Sequence, residues 1–301
     1  MFQYAESSPG SESLQEKPNT HKLLMKNMLI DAHCHPFDLA AVLPGFEDER
    51  RRFNVLCAAS AADCEEFVFN EELARNARAA GAARLLPCFA VHPQLPAGNS
   101  GYDINANLEL LENLAEQGRL AAVGEAGFDL YNAQFRETEA LQDRIFAFHA
   151  DVALRRDLPL VLHMRRAMHK IFSLSGTLKK CRALVFHSWS GTLGEAQSLL
   201  ARGINAYFSF GTVILLNHRE AMRSCASLPA DRLLTETDAP YQPLRNQGRN
   251  FSSWADLPEI LNAAAALRRE AGAHSKTGAA GADAAELEQC VEKNFREAFG
   301  L

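Results

Sequence analysis

Two histidines separated by one residue, His33 and His35, follow a short apolar run at 28–30 and offer the clearest chemistry in this sequence. Side chains alternate between the two faces of an extended chain, so residues two apart share one side. Two neutral imidazoles at that spacing can bind one divalent metal ion, because histidine is the commonest metal ligand. Cys34, between them, is expected to point to the other side and to pack there. Taken alone, the pair also fits two polar residues that end a strand.

Further side chains that could bind a metal recur at the ends of other apolar runs. Each run is short, rich in Val, Leu or Ile, and continuously hydrophobic, which is typical of strands buried on both faces of a parallel sheet. The runs are 120–124, 158–162, 183–186 and 232–237, and the residues that end them are Glu125, His163, His187 and Asp238. This repetition favours one common site over scattered histidines.

The number of apolar runs indicates the architecture. Three more runs, 52–57, 84–91 and 204–209, bring the predicted strands to eight, with helical periodicity between them. Eight βα units in about 250 residues predict an α/β fold, the (β/α)8 TIM barrel. The active site of such barrels lies at the carboxyl ends of the strands, which is where the candidate ligands fall.

Length and composition are consistent with one large domain. The chain has 301 residues, of which 47% are hydrophobic, enough to bury a sizeable core. We predict a single barrel over 27–301 and a disordered polar tail over 1–26. The small-residue segment 271–283 is predicted to be a flexible surface loop between two terminal helices.

The sequence predicts a cytoplasmic monomer without a membrane partner. No apolar run approaches the ~18 residues needed to cross a bilayer, and no signal peptide begins the chain. The seven cysteines are scattered and odd in number, which indicates a reducing compartment and no disulfide framework.

The net charge of −6 argues against a broad basic groove for duplex DNA. Local basic clusters could hold one end of a strand instead, which suits an exonuclease. These clusters are Arg165, Arg166, His169 and Lys170, and, further along, Arg245 and Arg249.

Six motifs occur in order along the chain. They are His33-Cys34-His35, Val91-His92-Pro93, Gly124-Glu125-Ala126-Gly127-Phe128-Asp129, Leu162-His163-Met164-Arg165, His187-Ser188-Trp189-Ser190-Gly191 and Glu236-Thr237-Asp238-Ala239-Pro240-Tyr241. Together they resemble the TatD family of metal-dependent deoxyribonucleases, which belongs to the amidohydrolase superfamily of metal-dependent barrel hydrolases. Two positions near the expected substrate rim depart from the family's pattern. Arg166 stands where an Asp is usual, and Asn250-Phe251-Ser252 stands where Asn-Glu-Pro is usual.

Four histidines and two carboxylates exceed the three protein ligands of a single catalytic zinc and suit two divalent metal ions about 3.5 to 4 Å apart. The resemblance implies that one ion is held by His33, His35, Glu125 and Asp238, and the other by Glu125, His163 and His187. Glu125 would then bridge the ions, since a carboxylate between two cations reduces their repulsion. Mixed nitrogen and oxygen ligands fit Zn, Mn, Co or Fe, and Mg could be recruited with substrate.

Several residues have candidate roles in catalysis or binding beyond metal ligation. Asp238 is the candidate general base or proton shuttle, with plain metal binding as the alternative. Glu236 is either a supporting or proton-transfer carboxylate or a buried structural residue. His92 either contacts a substrate phosphate or a metal-bound water, or caps the chain before Pro93. Arg165 either binds a phosphate as a bidentate donor or forms a surface salt bridge.

Three functions compete on the sequence. The resemblance favours a DNase that acts as a 3′-to-5′ exonuclease on DNA or on another small phosphodiester. The alternative is hydrolysis at a carbon centre, such as an amide, ester or aminoacyl-tRNA bond, since such a site would also polarise a carbonyl. A non-catalytic binding protein is disfavoured because a scaffold does not need six convergent ligands. Fold alone does not separate the first two.

Overall fold

The computed structural model describes residues 28–98, 101–244, 248–273, 281 and 283–301. The predicted tail over 1–26 and most of the predicted loop, 274–280 and 282, lie outside the described residues. The domain boundaries therefore stay a prediction.

Eight parallel strands pair in chain order and form a nearly closed barrel. The predicted eight-stranded α/β barrel is thus confirmed. The strands are β1 Leu29–Cys34, β2 Val55–Ala59, β3 Leu85–Phe89, β4 Ala122–Asp129, β5 Leu160–Arg165, β6 Leu184–Phe186, β7 Ala206–Phe210 and β8 Leu233–Thr235. Every residue of β2, β4 and β7 is buried, which explains their mainly apolar or small residues. The charged exceptions, Glu125 and Asp129, both lie in β4.

The chain after β8 returns to the end of β1. The backbone N–H of Asp238 donates to the carbonyl of His33 at 3.0 Å, and that of His35 donates to the carbonyl of Ala239 at 2.7 Å. These two bonds bring the first and the last predicted metal ligands side by side.

Helices separate every pair of successive strands, and two more follow β8. They are α1 Pro36–Val42, α2 Phe46–Arg52, α3 Cys64–Ala79, α4 Leu95–Gly98, α5 Ile104–Glu116, α6 Ala133–Glu137, α7 Glu139–Arg156, α8 Met168–Ser173, α9 Ser175–Leu178, α10 Leu193–Ala201, α11 Arg219–Ser227, α12 Leu257–Ala273 and α13 Ala284–Phe299. Side-chain caps fix several starts: the Asp63 carboxylate accepts the N–H of Glu66 at α3, and Thr192 and Glu195 form a capping box at α10. Among the described residues, no helix is both long and apolar enough to cross a membrane.

Buried apolar side chains fill the space between the strands and the helices. Phe186 and Phe208, from neighbouring strands, stack with centroids 5.6 Å apart, and Trp189 packs edge-on against Phe208. Cys34 belongs to a smaller cluster with Trp254, and its Sγ lies 3.5 Å from the carbonyl oxygen of Ala58. Its side chain therefore packs into the protein, as its position between two histidines predicts.

Candidate metal centre

A cleft of about 880 Å³ opens at the carboxyl ends of the strands, and five of the six predicted ligands line it. The sixth, His33, is fully buried beside them. All six lie on or after five strands: His33 and His35 at β1, Glu125 on β4, His163 on β5, His187 directly after β6, and Asp238 in the turn that follows β8. The sequence analysis placed Glu125 and His163 at the ends of their strands, but both lie within them. The strands β4 and β5 continue to Asp129 and Arg165 because they stay paired up to those residues.

The carboxylate of Glu125 lies at the centre of the cluster. Its Oε2 is 3.1 Å from His33 Nε2 and 3.5 Å from His35 Nε2. Its Oε1 is 2.6 Å from His163 Nδ1 and 2.8 Å from His187 Nε2. Each oxygen of one carboxylate thus faces a different pair of imidazoles.

Asp238 lies beside the first of these pairs. Its Oδ1 is 3.5 Å from His33 Nε2 and 3.6 Å from His35 Nε2, and its Oδ2 accepts a hydrogen bond from Gln242 Nε2 at 2.6 Å. The backbone of Asp238 is left-handed, with φ 56°, a conformation that Asp adopts more readily than most residues. The turn after β8 therefore directs this carboxylate into the cluster.

The spacing of the donor atoms fits divalent cations. Ligands about 2.1 Å from a tetrahedral ion stand roughly 3.4 Å apart. The His33 and His35 Nε2 atoms are 3.0 Å apart, and His163 Nδ1 and His187 Nε2 are 3.2 Å apart. Lone pairs of two imidazoles repel at such distances unless a proton or a cation lies between them. The mixed nitrogen and carboxylate donors are those that bind divalent transition metals.

Asp129 fixes the orientation of His163, a role that the sequence analysis missed. Its Oδ2 lies 3.1 Å from His163 Nε2 and also accepts a hydrogen bond from Gln94 Nε2 at 2.7 Å. Although burial opposes ionisation, hydrogen bonds from His163 and Gln94 lower the pKa of Asp129 to about 2. The ionised carboxylate accepts the Nε2 proton, which orients the ring so that Nδ1 of His163 faces Glu125 and the cluster.

The outer nitrogens of His33 and His187 have weaker neighbours. His33 Nδ1 lies 3.2 Å from the hydroxyl of Ser60. His187 Nδ1 is 3.9 Å from Glu236 Oε1, which accepts the backbone N–H of Ser188 at 2.6 Å. Glu236 therefore lies behind the ligands and not among them.

The carboxyl groups differ in charge. Burial opposes ionisation of Glu125, but His187 and the other nearby histidines hold its pKa well below its usual range. Burial opposes ionisation of Asp238 too, but its interaction with His35 and the charges of His33 and His187 together lower its pKa. Burial instead raises the pKa of Glu236 to about 8, so this carboxyl is mostly protonated at neutral pH.

His92 faces the cluster as a hydrogen-bond donor. The backbone N–H of Gln94 donates to His92 Nδ1 at 3.2 Å, and His92 Nε2 lies 3.1 Å from Glu125 Oε1. Burial lowers the pKa of His92, which favours the neutral ring. Since Nδ1 accepts, the single proton is on Nε2 and points toward Glu125. The ring thus caps the chain, and its Nε2–H reaches into the cleft.

Arg165 lines the same cleft at its outer edge. Its side chain is 44% exposed, and its Nη1 lies 3.7 Å from Asp129 Oδ2. The basic residues predicted to cluster around Arg165 do not all face the cleft as free charges. Lys170 forms ion pairs with Glu139 and Asp143 on α7, at 2.6 and 2.9 Å. Arg245 lies outside the described residues.

Close backbone packing and buried hydrogen bonds hold the ligand-bearing strands in place. A Cβ on Gly127, whose φ is +136°, would lie 2.2 Å from the carbonyl oxygen of His163, so only glycine lets β4 approach β5 here. Between β1 and the chain after β8, the carboxyl of Asp31 accepts the N–H of Thr237 at 2.9 Å and its hydroxyl at 2.6 Å. Sequence reasoning also missed Asp31.

This fold and this cluster define a (β/α)8 hydrolase of the kind built around a polar site at the carboxyl ends of the strands. The profile of the family described as TatD related DNase matches residues 30–300. The chain therefore belongs to the TatD-related DNase family.

Relatives and solved structures agree with this membership. A protein named 3′-5′ ssDNA/RNA exonuclease TatD from Erwinia tasmaniensis is 33% identical over 220 residues, which cover 70% of this chain and 76% of that protein. The protein of that name from Escherichia fergusonii is 29% identical over 276 residues, covering 88% and 99%. The crystal structure of YJJV, a TatD homologue from Escherichia coli K12, has a TM-score of 0.73 and 27% identity, covering 91% and 98%.

Proposed function

We propose that this protein is a metal-dependent hydrolase that removes nucleotides from the 3′ end of single-stranded DNA or RNA. One observation carries the metal-dependent chemistry: the carboxylate of Glu125 presents Oε2 to His33 and His35, and Oε1 to His163 and His187. The TatD relatives named 3′-5′ ssDNA/RNA exonucleases support the choice of substrate.

The donor cluster would hold two divalent ions, with Glu125 contributing to both. His33, His35 and Asp238 complete one set of ligands, and His163 and His187 complete the other. Zn, Mn, Co, Fe and Mg are the candidate ions for this mixture of donors. Bound there, such ions supply an activated water at neutral pH and stabilise charge on the phosphodiester oxygens.

Asp238 is the proton acceptor in this proposal. Its lowered pKa keeps it ionised, and Gln242 occupies only Oδ2. Oδ1, which faces the histidines, can therefore take the proton that the attacking water loses.

His92 and Arg165 would bind the substrate. The Nε2–H of His92 points into the cluster, where it can donate to a phosphate oxygen that displaces Glu125 as its acceptor. The guanidinium of Arg165 stands further out along the same cleft and can contact a phosphate as a bidentate donor.

The test is a hydrolysis assay on a single-stranded oligonucleotide labelled at its 5′ end. Protein is first freed of metal with a chelator, then reloaded separately with each of the five candidate ions. We expect no hydrolysis after chelation, and a ladder of products shortening from the 3′ end after reloading. A phosphorothioate at the terminal linkage should delay this ladder.

Two further substrates make the outcome decisive. A neutral aryl ester and an aminoacyl ester report hydrolysis at carbon under the same conditions. Cleavage of either ester without any cleavage of nucleic acid, under all five ions, would overturn the proposal.

A further inference from the structure

Three arginines and one tyrosine gather at the edge of the cleft, and we call Tyr131, Arg136, Arg165 and Arg166 the arginine–tyrosine cluster. The Cζ atoms of Arg165 and Arg166 lie 4.2 and 4.6 Å from the centroid of the Tyr131 ring. Arg136, on α6, donates from Nη1 to the carbonyl oxygen of Tyr131 at 3.3 Å. The ring thus holds two guanidinium groups close together, and a third is tied to its backbone.

The positive charge of this cluster is poorly neutralised. Within the described residues, neither Arg136 nor Arg166 has a carboxylate oxygen within 4.0 Å, and the Asp129 oxygen nearest to Arg165 is shared with His163. Arg155 on α7, by contrast, is paired with Glu112 and Asp151. Exposed guanidinium groups that converge without acidic partners attract anions, above all phosphates.

The position of the cluster relates it to the candidate metal centre. Asp129 contacts His163 Nε2 at 3.1 Å with the same oxygen that faces Arg165 Nη1 at 3.7 Å. The cleft is therefore basic where β4 and β5 end. Where α1 and α3 border it, the lining is acidic, with Asp38 and Glu66. A polyanion bound at the centre is drawn out of the cleft toward the β4–β5 edge.

We propose that the arginine–tyrosine cluster binds the phosphates of single-stranded nucleic acid on the 5′ side of the scissile bond. This inference rests on the proposed exonuclease function, in which only the 3′-terminal nucleotide lies beyond the scissile phosphate. The guanidinium groups contact successive phosphates, and the exposed part of the Tyr131–arginine stack offers a surface for a base. Longer substrates should therefore bind more tightly than a dinucleotide, because a dinucleotide has no further phosphodiester on the 5′ side of the scissile bond.

The test compares a dinucleotide with a 12-nucleotide oligothymidylate. In the double variant Arg136→Ala/Arg166→Ala, we expect KM for the 12-mer to rise by about tenfold and KM for the dinucleotide by less than about twofold. The slope of log KM against log salt for the 12-mer should fall by about 0.7 for each phosphate that the variant no longer neutralises. The control is Arg202→Ala, an exposed arginine that stacks on Phe172 and precedes β7 at the other end of the strands.

A binding measurement separates this inference from the proposed function. Fluorescence anisotropy of a labelled phosphorothioate 12-mer, in chelator, reports affinity without hydrolysis, and the double variant should bind more weakly. Arg136→Lys/Arg166→Lys should recover most of the salt slope even if the alanine variant is unstable. If wild-type protein cleaves neither substrate, the proposed function fails. If it cleaves both, and the lysine and alanine variants match it in KM, salt slope and anisotropy, the cluster does not bind the strand.

Discussion

The two sides of the donor cluster carry their negative charge in different places. On the side formed by β1 and β8, the carboxylate of Asp238 is itself in contact with His33 and His35. On the side formed by β5 and β6, the predicted ligands are imidazoles, and the carboxylate of Asp129 lies behind His163. On the first side, a carboxylate can contact a cation or accept a proton directly. On the second side, the carboxylate of Asp129 acts only indirectly, by polarising the imidazole of His163.

Because of this difference, we expect one side of the cluster to contribute mainly to metal binding and the other mainly to proton transfer. A carboxylate behind an imidazole makes the ring more basic and fixes its tautomer, which strengthens metal binding. Within the cluster, Asp238 Oδ1 has only the Nε2 atoms of His33 and His35 near it, at 3.5 and 3.6 Å, so it can accept a proton during the reaction. We therefore expect the β5–β6 side to govern metal affinity and the β1–β8 side to govern turnover.

The variant Glu125→Gln should weaken metal binding on both sides of the cluster at once. The amide keeps the shape of the carboxylate but loses the charge shared between the two histidine pairs. We expect fewer than two metal ions per chain by mass spectrometry, and turnover on single-stranded DNA below about one thousandth of wild type. Glu66→Gln, another carboxyl of the cleft, is the matched control. Full metal content with near-normal turnover in Glu125→Gln would contradict the bridging role.

The variant Asp238→Asn should damage turnover more than metal binding. Asparagine keeps an oxygen toward His33 and His35 but cannot take a proton at neutral pH. Turnover should fall by about 10² or more, with KM nearly unchanged, in steady-state kinetics at saturating metal. A loss that extra metal fully restores would instead make Asp238 a plain ligand.

The variant Asp129→Asn should show the opposite pattern. His163 loses the acceptor that fixes its tautomer, so metal affinity should fall by about 10- to 100-fold in a calorimetric titration. Turnover should recover largely at high metal concentration. Ser60→Ala removes the neutral partner of His33 and serves as the comparison on the β1–β8 side. Equal losses of affinity in the two variants would remove the distinction between the sides.

Buried His149, which lies behind the strand that leads to His92, should make the stability of the fold depend on acid pH, a smaller effect than those above. Burial lowers its pKa to about 3, and its Nε2 accepts the N–H of Val91, next to His92. Between the ordinary pKa of 6.5 and about 3, the unfolded chain takes up a proton that the folded chain does not. The free energy of unfolding therefore falls as the pH drops through this window.

The variant His149→Gln keeps an acceptor for Val91 and removes this titration. Urea unfolding at pH 8, 5.5 and 4.5 should show a shallower loss of stability than in wild type. His169→Gln, the same substitution at an exposed position on α8, is the control. The same steep dependence in His149→Gln would show that other groups cause it.

The strands, and the convergence of the predicted metal ligands at one end of the barrel, could be predicted from the sequence for simple physical reasons. Burial on both faces leaves a continuous apolar run for each strand, and a parallel barrel brings the carboxyl ends of all strands together. The end of β4 could not be predicted in this way. It continues past Glu125 because the absence of a side chain on Gly127 allows close pairing with His163 on β5.

The supporting residues were harder to predict because they act across strands. Asp129 lies four residues after Glu125, a spacing that favours the same face of a strand and could have drawn attention to it. Its contact with His163, however, depends on the register of β4 against β5. The stacking of Arg165 on Tyr131 depends on the loop after β4, whose conformation no periodic pattern encodes.

The link between Asp31 and Thr237 joins residues 206 positions apart. Chains emerge from the ribosome amino terminus first, so His33 and His35 are exposed long before Asp238 has been synthesised. A nascent chain that ends before Thr237 can neither close β8 onto β1 nor complete the donor cluster. The order of translation thus keeps this site unassembled on the ribosome, a particle built largely of RNA, until at least Thr237 and Asp238 have been synthesised.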